Sequence, residues 1–123
     1  GATSVDKEYR IPYSSWWPQE LPDERNFEEA RAKLDSVVWK VDYAITHTCS
    51  TRMLSPTLYP APGWNYPDVD RLTTFFDELE DHLDYKRWYY GHFHRDANPV
   101  ECHTVLYDCI VRLGDELQPW DVA

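Results

Sequence analysis

The sequence predicts an α/β fold, a layered sheet flanked by helices. Three observations carry this reading: two stretches with apolar residues at helical spacing, β-branched and aromatic runs of strand length after each, and the alternation of the two along the chain. Residues 1–22 hold the pair Trp16-Trp17 between Ser14-Ser15 and Pro18 and end at Pro22, which predicts an irregular segment with buried aromatics. From Asp23 onward Phe27, Ala30, Leu34 and Val37 recur at helical spacing, with Asp23 as N-cap and Glu24, Glu28 and Glu29 near the positive end of the dipole; a helix is expected over 24–36. Val37-Val38-Trp39 and Val41 to Thr46 predict a strand centred on 41–46, with His47 at its C-terminal end. Pro56, Pro60, Pro62, Pro67 and Gly63 predict an irregular loop over 48–67, a length of about twenty residues that usually signals function or mobility. Val69, Leu72, Phe76, Leu79 and Leu83 lie on one helical face, with Asp68 and Asp70 in the first turn, and predict a helix over 68–83. Lys86 to Tyr90 reads as a short strand ending at Gly91, and Val100–Tyr107 and Cys109–Leu113 as two further strands.

The 123 residues, 42% hydrophobic and 15% aromatic, are enough for one core and one domain over 1–123 with no internal boundary. A net charge of −10 repels phosphate backbones and anionic lipid, so general nucleic-acid binding is not expected. No run approaches the roughly eighteen apolar residues of a membrane span. Three cysteines, Cys49, Cys102 and Cys109, form no CxxC pair and predict a reducing, cytoplasmic compartment.

In an α/β sheet, ligands sit beyond the carboxyl ends of the strands, and His47, His92 and His94 fall there. Imidazole is the commonest transition-metal ligand, and an H-x-H pair reaches either one ion or two neighbouring ions. Gly91 supplies a positive φ or a close backbone approach at the turn from strand to ligand loop. His82, near a helix end, and His103, inside a predicted strand, read as structural. So does the acidic run Asp77, Glu78, Glu80, Asp81 and Asp84, a solvated helix face. Trp16, Trp17, Tyr59, Trp64 and Tyr66 read as packing aromatics rather than pocket walls.

Gly91-His92-Phe93-His94 after the strand Trp88-Tyr89-Tyr90, with Asp42-Tyr43-Ala44-Ile45-Thr46-His47-Thr48 upstream, resembles the last two metal motifs of the calcineurin-like metallophosphoesterase superfamily. Gly1 to Arg10 and Ser15 to Glu20 resemble the segment of bacterial members that follows their third motif, so the resemblance covers nearly the whole chain. It implies the C-terminal half of a layered α/β/β/α sandwich. It also implies a centre of two divalent ions (Mn, Fe or Zn) that hydrolyses phosphate esters, with His47 and His92 on one ion and His94 on the other. Arg52 is the candidate substrate-phosphate contact.

The family's earlier motifs, D-x-H, G-D-x-x-D and G-N-H-[DE], do not occur in this sequence; Gly114-Asp115 lacks the second aspartate, and Glu101-Cys102-His103 has glutamate for aspartate. The chain by itself is therefore expected to be inactive and to associate with the missing N-terminal half or with itself. Two alternatives remain: a mononuclear zinc protein using His47, His92 and His94, which Cys49 would extend, and an inactive domain acting as an interaction module through its acidic face.

Overall fold

The computed structural model describes residues 21–58 and 69–121. Of the irregular start expected over 1–22, residues 1–20 lie outside the described residues, as do the aromatics Trp16, Trp17, Tyr59, Trp64 and Tyr66. The elements are α1 (Glu24–Ser36), β1 (Tyr43–Thr46), α2 (Thr51–Leu58), α3 (Arg71–His82), β2 (Arg87–Tyr90) and β3 (His103–Val105). The three strands form one parallel sheet in the order β1-β2-β3, so the architecture is a small mixed α/β domain.

Both long helices begin where their sequences provide a cap. Asp23 accepts from the Asn26 amide at 3.2 Å while the Asn26 side chain takes the Asp23 amide at 3.0 Å. Asp70 and Thr73 repeat this reciprocal arrangement at the start of α3, at 2.9 and 3.1 Å. The first helix ends without glycine. Val38 and Trp39 take left-handed φ values of 56° and 54°, so this stretch is a turn, and the strand begins only at Tyr43. The Trp39 amide reaches back to the Leu34 carbonyl at 2.9 Å, which satisfies part of the exposed helix end.

The predicted loop over 48–67 contains a helix, α2, in spite of Pro56 within it. Proline removes one intrahelical donor, but Met53, Leu54, Thr57 and Leu58 recur at one and four residues and are all buried. Burial outweighs local propensity here. The expected strand over 100–107 shortens to β3, and 109–113 forms no strand.

Register sorts the strand residues into two faces. Ala44, Trp88 and His103 align across the sheet, as do Thr46, Tyr90 and Val105. Trp88, Tyr90 and Val105 join Phe75, Phe76, Leu79, Met53 and Leu54 in the core, and Phe76 meets Trp88 edge to face at 5.7 Å between ring centres. On α1, Phe27 stacks on Phe75 at 4.5 Å, and Arg31 bonds Glu78 at 2.9 Å. The opposite face carries Tyr43, Ile45, Arg87, Tyr89 and Thr104. There the chain's own C-terminal segment covers Tyr89, whose hydroxyl accepts from the Gly114 amide and donates to the Asp115 carbonyl, both at 2.8 Å. Ile45, on the edge strand β1, stays 71% exposed. Among the described residues no helix is long and apolar enough to cross a membrane.

Losing an N-cap carboxylate costs about 1 kcal/mol. Asp70→Ala is therefore expected to lower unfolding free energy in urea by about that amount, whereas Ile45→Thr, at the exposed edge of the sheet, changes it by less than about 0.5 kcal/mol. Equal losses would contradict the assignment of these two environments.

Candidate metal centre at the carboxyl ends of β1 and β2

Parallel pairing brings the two predicted ligand segments together. The ladder runs from the Asp84 amide on the Trp39 carbonyl (2.9 Å) to the Gly91 amide on the His47 carbonyl (3.1 Å), so His47 lies beside Gly91 and His92 one residue further. Across this edge, His47 Nε2 and His92 Nδ1 are 3.0 Å apart, with ring centres at 4.9 Å. In the absence of metal, one of these two nitrogens carries a proton that the other accepts.

The alternation within H-x-H follows from Phe93. Its ring is 1% exposed, edge to face against Tyr90 at 6.2 Å, while His92 is half-buried and His94 exposed. Burying the middle residue turns its neighbours outward. The left-handed backbone expected at Gly91 falls instead on the ligands, with φ of 79° at His92 and 51° at His94. A Cβ at Gly91 would stand 3.5 Å from the Leu106 carbonyl oxygen and 3.8 Å from that of His47, both ordinary contacts, so neither a positive φ nor a close backbone approach requires glycine there. Non-glycine residues held at positive φ cost energy and cluster at functional sites.

His94 lies apart from the pair in its contacts, stacked on Tyr107 at 4.7 Å with 25° between the planes. Among the described residues no three His, Cys, Asp or Glu side chains are grouped to hold one ion. The arrangement therefore offers one pair of imidazoles and a separate third, and the mononuclear three-histidine alternative gains no support from it. Cys49 is 1% exposed, and burial pushes its thiol up to about 12, so an ion would have to displace its proton to take it as a ligand. Asp96, the carboxylate nearest the motif in sequence, turns to the 107–109 segment and accepts the amides of Tyr107 (2.7 Å), Cys109 (3.0 Å) and Asp108 (3.1 Å). Burial opposes charge on Asp96, but these donors outweigh it and hold its carboxyl below the usual range.

Arg52 lies on α2, with both terminal nitrogens on Asp81 at 2.7 and 2.9 Å and its amide on Asp77 at 3.2 Å. A substrate phosphate would have to compete with Asp81 for it. Thr57 and Arg95 tie the ligand loop to α2: the Thr57 hydroxyl meets that of Tyr90 at 2.6 Å, and Arg95 Nη1 donates to the Thr57 carbonyl. A cavity of about 420 Å³ on another part of the molecule is lined by Arg87, Ile110, Arg112, Asp115 and Trp120 among others, and by none of the three imidazoles.

No protein-family model, no curated protein and no solved structure matches this chain.

A left-handed residue other than glycine costs about 1 kcal/mol or more. His92→Gly is accordingly expected to leave the thermal midpoint unchanged or raised while removing an imidazole from the pair. A marked fall in midpoint would show that His92 is held for stability.

Proposed function

We propose that this chain contributes histidine ligands to a metal-dependent phosphoesterase, in which His47 and His92 hold one divalent ion (Mn, Fe or Zn) and His94 contacts a second. The reading rests on one observation, the 3.0 Å separation of His47 Nε2 and His92 Nδ1. Two nitrogens each about 2.0–2.1 Å from one ion, at angles between a right angle and tetrahedral, stand about 2.8–3.4 Å apart. The imidazoles already occupy that spacing; an ion would replace the shared proton, with the rings turning so that both lone pairs meet it. His94, outside the pair, suits a second ion better than the first.

Two neutral imidazoles leave the charge of a dication uncompensated, and carboxylates normally complete such centres. Their source in this reading is the missing N-terminal half or a second copy of the chain. Two ions supply activation of water and stabilisation of the developing charge on a phosphate ester. This chain's own residues orient the imidazoles: the β1–β2 register aligns the strand ends, Phe93 anchors the H-x-H segment, and Tyr107 supports the His94 ring. Arg52, the expected phosphate contact, is engaged by Asp81 and would exchange that partner for the substrate phosphate.

Calorimetric titration with zinc tests the pair directly. His47→Ala and His92→Ala are each expected to weaken the tight site by at least about tenfold, since even the loss of a group supporting a ligand costs that much. With the complementing half present and manganese added, His92→Ala is expected to abolish hydrolysis of phosphomonoester and phosphodiester model substrates. Unchanged zinc affinity in both variants would overturn the ligand assignment; ligand-dependent binding without hydrolysis would leave a metal site and overturn the enzymatic reading.

A further inference from the structure

The turn that carries His47 is held from both sides by one buried polar cluster. On one side the Ser50 hydroxyl, itself fully buried, donates to Glu80 Oε1 at 3.3 Å. The same oxygen takes His103 Nε2 at 2.8 Å, and Tyr85 donates to Glu80 Oε2 at 2.6 Å. On the other side, Trp88 lies nearly parallel to the His103 ring, 16° and 6.2 Å away. Its Nε1 donates to the Thr46 hydroxyl at 2.8 Å, which donates in turn to the Thr48 carbonyl at 2.6 Å. Residues 46–50 are thus referenced at both ends to Glu80 and His103.

The protonation of that pair follows from its partners. His103 Nδ1 faces the Glu101 carbonyl at 2.8 Å, an acceptor only, and Nε2 faces Glu80 Oε1 at 2.8 Å, with the Tyr85 hydroxyl further off at 3.3 Å. With the Tyr85 hydrogen directed at Glu80 Oε2 and the carboxylate ionised, each ring nitrogen has an acceptor to donate to, an arrangement that fits an imidazolium paired with an ionised Glu80. Their side chains are only 9% and 12% exposed.

We propose that the Glu80–His103 ion pair is a pH-sensitive clamp on the turn that carries His47, closed while the imidazole is charged and loosened when it loses its proton. Deprotonation places a ring lone pair against the carbonyl or the carboxylate and leaves Glu80 buried without its cation, an arrangement far costlier than an exposed broken pair. The clamp gains a regulatory meaning through the metal-site reading, but its geometry stands without it.

The groups facing the pair are known from each side. Cys49, Arg52, Tyr85 and Tyr90 surround Glu80, Arg87 faces His103, and Cys102 lies near Tyr85. Burial and Arg87 oppose charge on His103, but Glu80 and the Glu101 carbonyl outweigh them and raise its pKa. For Glu80, burial favours the neutral acid, and His103, Tyr85 and Ser50 outweigh it and lower its pKa. A raised histidine stabilises fully below its unfolded value and loses that contribution as pH rises through the folded one; a lowered carboxylate loses its contribution as pH falls through its folded value. The clamp is therefore tightest between the two and opens on the alkaline side.

The test is a histidine-selective NMR titration of the whole chain, with the amides of Cys49 and Ser50 followed in parallel. The His103 midpoint is expected above the unperturbed value of about 6.5, and those amides should shift with the same midpoint. His103→Gln should remove that transition from the amides, and its thermal midpoint should stay flat over the alkaline range in which the native chain loses stability. A His103 midpoint at or below about 6.5 in the native protein overturns the ion pair, whether or not the variant folds. Amides that ignore the His103 transition overturn the clamp, and neither outcome depends on metal binding or hydrolysis.

Discussion

The parallel register of β1 against β2 is the constraint on which the rest of the structure depends. Pairing Thr46 with Tyr90 sets the first residues beyond each strand side by side, and the bond from the Gly91 amide to the His47 carbonyl carries the alignment one step past the sheet. Because side chains alternate along a strand, slipping the register by one residue would send Trp88 and Tyr90 out of the core and part the imidazoles together. The same hydrophobic burial that holds the sheet to α2 and α3 therefore holds the candidate ligands in place.

Trp88 is where the two requirements meet. Its ring is 1% exposed, packs against Phe76 and Tyr85 edge to face and lies parallel to His103, and its single polar atom reaches Thr46 at the end of the neighbouring strand. A buried indole with a satisfied N–H serves as both bulk and connector. Through it, the Glu80–His103 pair and the turn after β1 are joined by one chain of contacts, the path by which the proposed clamp carries a change of charge to the strand end.

Much of this was legible in the residues. The capping signal at Asp23 and the apolar spacing of the two long helices gave their positions closely, because local rules act on residues three and four apart; Asp70, expected inside the first turn, is instead the cap of α3. The placement of His47 and His92 past two strand ends followed from the same alternation. Pro56 concealed α2, since the prediction weighed the breaker and not the buried Met53, Leu54, Thr57 and Leu58 that only the tertiary structure brings against the sheet. Glu80 and His103 were read as a solvated helix face and a strand residue. Nothing in either segment signals the other, for they lie 23 residues apart and meet only once α3 packs on the sheet. The sequence offers Gly91, the residue with the lowest intrinsic cost, for a positive φ or a close backbone approach, and does not reveal that His92 and His94 take the positive φ.

Long-range proton–nitrogen NMR of the chain with zinc addresses the central claim most directly, because it identifies which ring nitrogen takes the metal. The account predicts that zinc shifts Nε2 of His47 and Nδ1 of His92, the two atoms 3.0 Å apart, and leaves both nitrogens of His103 protonated. Zinc on the opposite nitrogens of those rings, or on neither residue, would contradict it.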